Sequence, residues 1–415
     1  MVKRAEKILH NADYKHRRIR TLGLLSVMGL GLAWNMQASA EGNPDEGHLH
    51  LIAHQVDSAH IDGGITWYLQ ATDGAPQNAT DLSYSMDIGL EAPVSKHGKA
   101  VIALEAGDGL GVDATLGSLS TANYDAFLTN ILQNIQGGNH TNLVVPSVSQ
   151  AYYEGQYLED GMMVSVGKLD VHSYYDDNAY ANDETDQFMS GIFVRSAGTS
   201  YAELDQYYAP GIALLFSVTK AIDLTLIAAN GNGDGFNNIF DYMYLVGQVD
   251  FKPRLAGRDG NYRFYAIYDA RNNAYTEIST GKTTTNTAWG LSFDQSLMDG
   301  VGLFARYSSQ DDDIAENIVK SSWSLGTLLE GALWGREKDT VGIGYGSVNL
   351  NDKANLATAL GTSNTGDEAH TELFYKVGFS DHFTLTADLQ VITNNGGNAA
   401  ADTVTVAGVR GQLNL

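Results

Sequence analysis

Nine charged or amide side chains occupy one parity of runs whose other parity is apolar: Glu154, Arg263, Asp269, Arg271, Arg306, Glu372, Lys376, Gln390 and Arg410. Guanidinium and carboxylate groups are strong hydrogen-bond partners for a hydroxyl-rich solute, and Tyr265 or Phe304 could stack on its apolar rim. Such contacts must stay weak if solute is to move on, and millimolar binding corresponds to only ~4 kcal/mol. Each of the nine is equally readable as a polar wall group that merely solvates a water-filled space. No serine elbow, helix with paired histidines or phosphate loop accompanies them. A hydrolase assembled from a Ser, an acid and one of eleven histidines stays open as an alternative.

The elements that carry these residues follow a period of two. In residues 82–91, Leu82, Tyr84, Met86, Ile88 and Leu90 alternate with Ser83, Ser85, Asp87, Gly89 and Glu91, so one strand face is apolar and the other polar. Similar segments fall at 61–71, 80–91, 99–107, 147–157, 162–169, 210–219, 222–230, 240–252, 262–271, 285–296, 300–309, 320–331, 338–349, 369–379, 382–393 and 402–415. That is about sixteen strands of roughly ten residues, the pattern of an all-β, closed antiparallel transmembrane barrel, because hydrocarbon offers no partner to an open sheet edge. A soluble β-sandwich also alternates, but from shorter strands. Short turns such as Lys220-Ala221 and Met298-Asp299 alternate with long polar connections. Trp67, Tyr84, Tyr153, Tyr307, Trp323 and Tyr375 lie on the apolar faces as candidate interface girdles. Lys168 shares a face with Val164 and Val166 and calls for a rim position or a bulge.

Arg17, Arg18 and Arg20, an apolar run from Leu22 and the tripeptide Ala38-Ser39-Ala40 predict a cleaved signal peptide over 1–40. Its loss would remove seven basic and two acidic residues, taking the formal net charge from −24 to −29. Nucleic acid is then an unsuitable partner. Residues 41–60 form a leader with His48, His50, His54 and His60, a weak metal pattern, and 61–415 form the barrel domain. The chain has no cysteine, which excludes disulfides and thiolate chemistry.

Some segments are not wall. Over 122–136 the period changes, and Tyr124, Phe127, Leu128, Ile131, Leu132 and Ile135 share a helical face. This short helical insertion either narrows a pore or covers the barrel from outside. The connection 170–196 carries Asp176, Asp177, Asp183, Glu184 and Asp186; it is a possible constriction at Asp183 and Glu184, or a solvated outer loop. Asn230, Asn232, Asp234 and Asp241 imitate part of a calcium loop, against an ordinary Asn-Gly turn. No other cofactor is expected.

Several segments resemble the carbohydrate-selective porins of Gram-negative outer membranes, the OprB family. These are Ala151-Tyr152-Tyr153-Glu154 with Val166-Gly167-Lys168-Leu169-Asp170, and Ala181-Asn182-Asp183-Glu184-Thr185-Asp186-Gln187-Phe188. Trp289-Gly290-Leu291-Ser292-Phe293-Asp294-Gln295, Leu303-Phe304-Ala305-Arg306-Tyr307 and Asp388-Leu389-Gln390-Val391-Ile392-Thr393-Asn394 follow in family order. The resemblance implies a sixteen-strand outer-membrane barrel through which monosaccharides diffuse, with outer-membrane lipids and the barrel-assembly machinery as partners. The chain departs from it in ending Gln412-Leu413-Asn414-Leu415 rather than on an aromatic residue. Its acidic balance also favours a general or cation-preferring porin as the alternative.

Overall fold

A computed structural model describes residues 59–135, 146–159, 161–199, 208–231, 240–271 and 274–415. The signal segment, nearly all of the leader, and Asn232 and Asp234 of the calcium-like loop lie outside the described residues.

Sixteen strands build the wall. They are β1 (His60–Asp73), β2 (Thr80–Ser95), β3 (Gly98–Asp108), β4 (Ser147–Tyr157), β5 (Met162–Asp170), β6 (Tyr208–Thr219), β7 (Ile222–Asn230) and β8 (Met243–Phe251). The second half comprises β9 (Arg258–Asp269), β10 (Asn286–Met298), β11 (Val301–Gln310), β12 (Val319–Glu330), β13 (Thr340–Leu350), β14 (Glu368–Gly378), β15 (Phe383–Thr393) and β16 (Val404–Asn414). Each pairs antiparallel with its sequence neighbour, and β16 returns to β1 with Tyr68 opposite Arg410 and Trp67 opposite Gly411. Closure leaves no sheet edge, as hydrocarbon requires. No described helix is long and apolar enough to cross a membrane; the strands do so.

The period of two sets what each face does. Outward Ile61, Leu82, Leu226, Phe264, Leu325 and Leu373 are exposed, while the residues between them are buried inward. Aromatic pairs such as Trp289 with Tyr307, at 5.3 Å, and Trp323 with Tyr345, at 5.5 Å, sit on the outer face. Lys168 is outward as its parity demands, and its Nζ donates to the Val148 carbonyl. Next to it β4 slips register on β3, with Ala103 facing Gln150 but Leu104 facing Val148, so Ser149 is a bulge. One rim carries two-residue turns, Lys96-His97, Lys220-Ala221 and Asp299-Gly300. The other rim carries the long connections, which marks it as the outer side.

Two of those connections turn into the barrel. The first contains a one-turn helix, α1 (Asp113–Leu116), and the amphipathic α2 (Tyr124–Ile135). Val112, Leu116 and Ala122 pack on inward Ile392, Val404 and Val406 of β15 and β16. The second is 171–199, with α3 (Gly191–Val194). Its Phe188, Ile192 and Phe193 join Phe304, Leu328, Val348 and Phe374 in an apolar cluster inside the barrel. The wall makes room with Gly344 and Gly346 of β13: a Cβ on Gly344 would lie 2.7 Å from the Phe193 ring, and one on Gly346 2.9 Å from Ile192. The β-strand alternation places these glycines inward, where missing side chains become a seat for the inserted aromatics.

Candidate constriction site

The inserted segment 171–199 exposes backbone N–H and C=O groups deep inside the barrel, and each must find a partner. Inward side chains of distant strands supply them. From β11, Arg306 Nε donates to Asp176 Oδ1 (3.2 Å), Nη2 donates to the Asp176 carbonyl (3.0 Å), and Nη1 donates to the carbonyls of Ala181 and Phe193. From β16, Arg410 Nη1 donates to the carbonyls of Glu184 and Gln187, both at 2.9 Å. From β14, Glu372 accepts the amides of Met189 (2.7 Å) and Ser190 (2.9 Å). A fixed guanidinium fork suits paired carbonyls, and a carboxylate suits paired amides, so the wall reads the backbone polarity of the segment.

Both inserted segments are joined to each other and to the same strand. The Gly191 amide donates to the Thr121 carbonyl and the Tyr124 amide to the Met189 carbonyl, both at 2.9 Å. Glu368 of β14 accepts the amides of Leu119, Ser120 and Gly396, and contacts His370 Nε2 at 2.8 Å. His370 Nδ1 lies 3.2 Å from Ser190 Oγ, and Gln390 Nε2 donates to the Ala122 carbonyl at 2.9 Å. Glu368, His370 and Glu372 are therefore one inward row, two residues apart, that holds both segments. In the first segment, Asp113 accepts the amides of Ala122 and Asn123, both at 2.8 Å. Burial nevertheless pushes its carboxyl up to about 7; the two amides and His370 act against that rise, while Glu368 adds to it.

Towards the short-turn rim the lumen carries ion pairs. Arg263 Nη1 binds Asp294 at 2.6 Å, while its Nε lies 3.9 Å from Asp250 and its Nη2 3.8 Å from Asp177. Lys99 bridges Glu91 at 2.9 Å and Glu154 at 3.6 Å, and Lys376 binds Asp186 at 2.6 Å. Each of these cations is thus paired with a neighbouring carboxylate inside the barrel.

The positions expected from sequence have the following surroundings. Glu154, Arg263, Asp269, Arg306, Glu372, Gln390 and Arg410 are turned inward, but all are buried against other protein groups instead of facing open water. Only Lys376 keeps partial exposure, at 11 % of its side chain. Arg271 lies just past β9, where it pairs with Asp269 at 2.9 Å and contacts Tyr275. The 170–196 connection is inside the barrel, not a solvated outer loop. Asp183 accepts Thr185 N and Oγ1 and Asp186 N, closing its own turn. Glu184 is buried, and its carbonyl is the acceptor for Arg410 and Tyr68. Of the calcium-like set, Asn230 is buried and Asp241 exposed. Sequence reasoning missed Glu368 and His370. Both follow the same alternation as Glu372.

A closed sixteen-strand barrel with a segment pinned across its interior defines a porin-type outer-membrane protein. The family model of the carbohydrate-selective porin, OprB family matches residues 115–415, and the chain belongs to that family. Its fold is similar to the high-pH structure of Pseudomonas putida OprB, with a TM-score of 0.71 at 16% identity over 89% of this chain and 97% of that one. It is also similar to the outer-membrane channel DcaP of Acinetobacter baumannii, with a TM-score of 0.54 at 10% identity over 86% and 97%. Porin AaxA of Chlamydia abortus is 24% identical over 283 residues, covering 66% of this chain and 59% of that protein. Porin B of Pseudomonas aeruginosa is 29% identical over 125 residues, 27% of either chain. The chain spans about three-fifths of the length of the first of these relatives. Family and fold place it in the bacterial outer membrane.

Proposed function

We propose that this protein is a passive channel for small carbohydrates, monosaccharides foremost, across the outer membrane. The observation that carries this reading is the pinned segment 171–199: a wall that spends Arg306, Arg410 and Glu372 on fixing a lumenal loop builds a filter of constant size. Fixed hydrogen-bonding groups beside aromatic faces suit a neutral polyol, which loses hydration gradually and regains it on exit. The apolar outer faces suit lipid, and the alternating final strand β16 suits the barrel-assembly machinery. Residues 1–40 serve export in this reading.

A second reading, a general or cation-preferring porin, is favoured by the surplus of inward carboxylates, among them Asp62, Asp87, Glu105 and Asp125. Reconstitution in planar bilayers separates the two. Concentration-dependent current block by glucose supports the carbohydrate channel, whereas cation-selective current indifferent to a panel of sugars supports the general pore.

A further inference from the structure

The joint between the two inserted segments and the wall contains an imidazole whose hydrogen bonds fix its protons. Glu368, His370 and Ser190 are completely buried and stand in line. Glu368 accepts the amides of Leu119 and Ser120 from the first segment and of Gly396 from the connection after β15, so both of its oxygens face donors and it stands as a carboxylate. His370 Nε2, 2.8 Å from that carboxylate, therefore carries a hydrogen.

The other ring nitrogen is determined by the serine. Ser190 Oγ donates to the Thr121 carbonyl at 3.1 Å, and a carbonyl can only accept, so the single hydroxyl hydrogen lies there. His370 Nδ1 is 3.2 Å from the same Oγ, and this contact is a hydrogen bond only when Nδ1 supplies the hydrogen. Satisfying the whole row thus requires an imidazolium, bonded to Glu368 on one side and to Ser190 on the other. With a neutral ring, the one hydroxyl hydrogen serves either Thr121 or Nδ1, and one of the two bonds is lost.

Those bonds join the first segment, through Leu119, Ser120 and Thr121, to the second, through Ser190, and both to β14. The charged groups around the ring are mostly carboxyls. Glu368 and Glu372 flank it on β14, and Asp113 faces it from the first segment. Asp388 of β15 adjoins Glu372, and Arg410 of β16 lies beside Asp388. Directly opposite His370, β13 places Gly346 and β15 places Ile392, while the second segment brings the uncharged Met189-Ser190-Gly191. A single cation among these carboxyls is charge-compensated, as a buried ion must be.

We propose that His370 is a pH-operated fastener of the constriction: as imidazolium it ties the two inserted segments to each other and to β14, and as neutral imidazole it loosens them. The aperture is then tighter in acid than in mild alkali.

The test uses the full chain in planar bilayers bathed in potassium chloride, so its outcome does not depend on which solute the channel carries. Parent, Ser190→Ala, His370→Gln and Asp113→Asn proteins are each first checked for the heat-modifiable migration of a folded barrel. They are then recorded from about pH 5 to about pH 8, the interval in which histidines as a class change charge. The readout is the ratio of time spent in the smaller and the larger conductance state. Loss of one charge-assisted bond predicts that the parent's ratio falls by about ten- to hundredfold across this interval. Ser190→Ala removes the acceptor of Nδ1 but leaves Glu368 in place, and it should show the parent's alkaline ratio at every pH. His370→Gln has no titrating ring and should lose the pH dependence. Asp113→Asn should keep it, although the Asp113 carboxyl, pushed by burial up to about 7, titrates in the same interval. Should His370→Gln not fold, Ser190→Ala carries the comparison. A parental ratio that does not change with pH overturns the proposal, as does a pH dependence that persists in Ser190→Ala or one that only Asp113→Asn removes.

Discussion

Replacing Arg306 by Ala isolates the anchoring argument. The guanidinium is 3 % exposed and makes contacts to Asp176, Ala181, Asn182 and Phe193, all on the inserted segment. Removing it takes a charged donor from the Asp176 carboxylate, itself 3 % exposed, and from the carbonyls of Asp176, Ala181 and Phe193. Breaking one side of a buried charged network costs about 3–5 kcal/mol. Because the closed wall is held by its own strand ladder, that loss falls on the docking of the segment. At 1.4 kcal/mol per decade, the ratio of docked to undocked segment drops by roughly two to four orders of magnitude. Single-channel recording of Arg306→Ala should show larger conductance and frequent steps, and vesicles bearing it should admit a trisaccharide that the parent excludes. Arg306→Lys, which keeps charge but cannot serve diverging carbonyls with a planar fork, should fall between the two. Parental conductance, noise and size exclusion in a folded Arg306→Ala channel would refute the claim that this side chain holds the segment.

Gly344→Ala places a Cβ 2.7 Å from Phe193 and 3.1 Å from Phe188, an overpacking worth about 1–3 kcal/mol that should raise protease cleavage within 171–199; an unchanged cleavage rate counts against the glycine seat. Asp113, pushed up to about 7 by burial, keeps a proton when folded that it has lost when unfolded, so its contribution to stability falls as pH rises from the ordinary carboxylate range to about 7 and is level above that. Parent melting temperature should therefore fall between pH 5 and 8 by more than that of Asp113→Asn, and equal slopes would contradict the assignment. Lys376→Ala loses a pair whose carboxylate is 32 % exposed, worth at most about 1 kcal/mol; melting and conductance should stay near parental, and a collapse of either would mean Lys376 does more than pair with Asp186.

The wall was legible because a strand repeats itself every two residues. The expected 61–71 became His60–Asp73, 382–393 became Phe383–Thr393, and the helical stretch 122–136 became Tyr124–Ile135. Inward direction was legible on the same ground for Arg263, Arg306, Glu372 and Arg410. Their surroundings were not, because the partners come from a segment with no period of its own, 125 residues away in the bond from Arg306 to Ala181 and 226 in that from Arg410 to Glu184. A polar residue facing a lumen and one buried beneath an inserted loop have identical sequence patterns. The glycines of β13 gave a hint of the difference, since an inward run without side chains in a polar wall calls for something to fill it.

The row Glu368, His370 and Glu372 has a temporal meaning as well as a spatial one. The segments it holds belong to the first half of the chain, while the row itself, together with Arg410, belongs to the last three strands. During assembly the filter thus has Arg306 of β11 but lacks Glu368, Glu372 and Arg410 until β14 and β16 have joined the sheet, so the aperture is completed last. A chain that stalls before those strands are in place is a wider and less selective hole than the finished protein, which makes completion of the barrel and restriction of its traffic a single event.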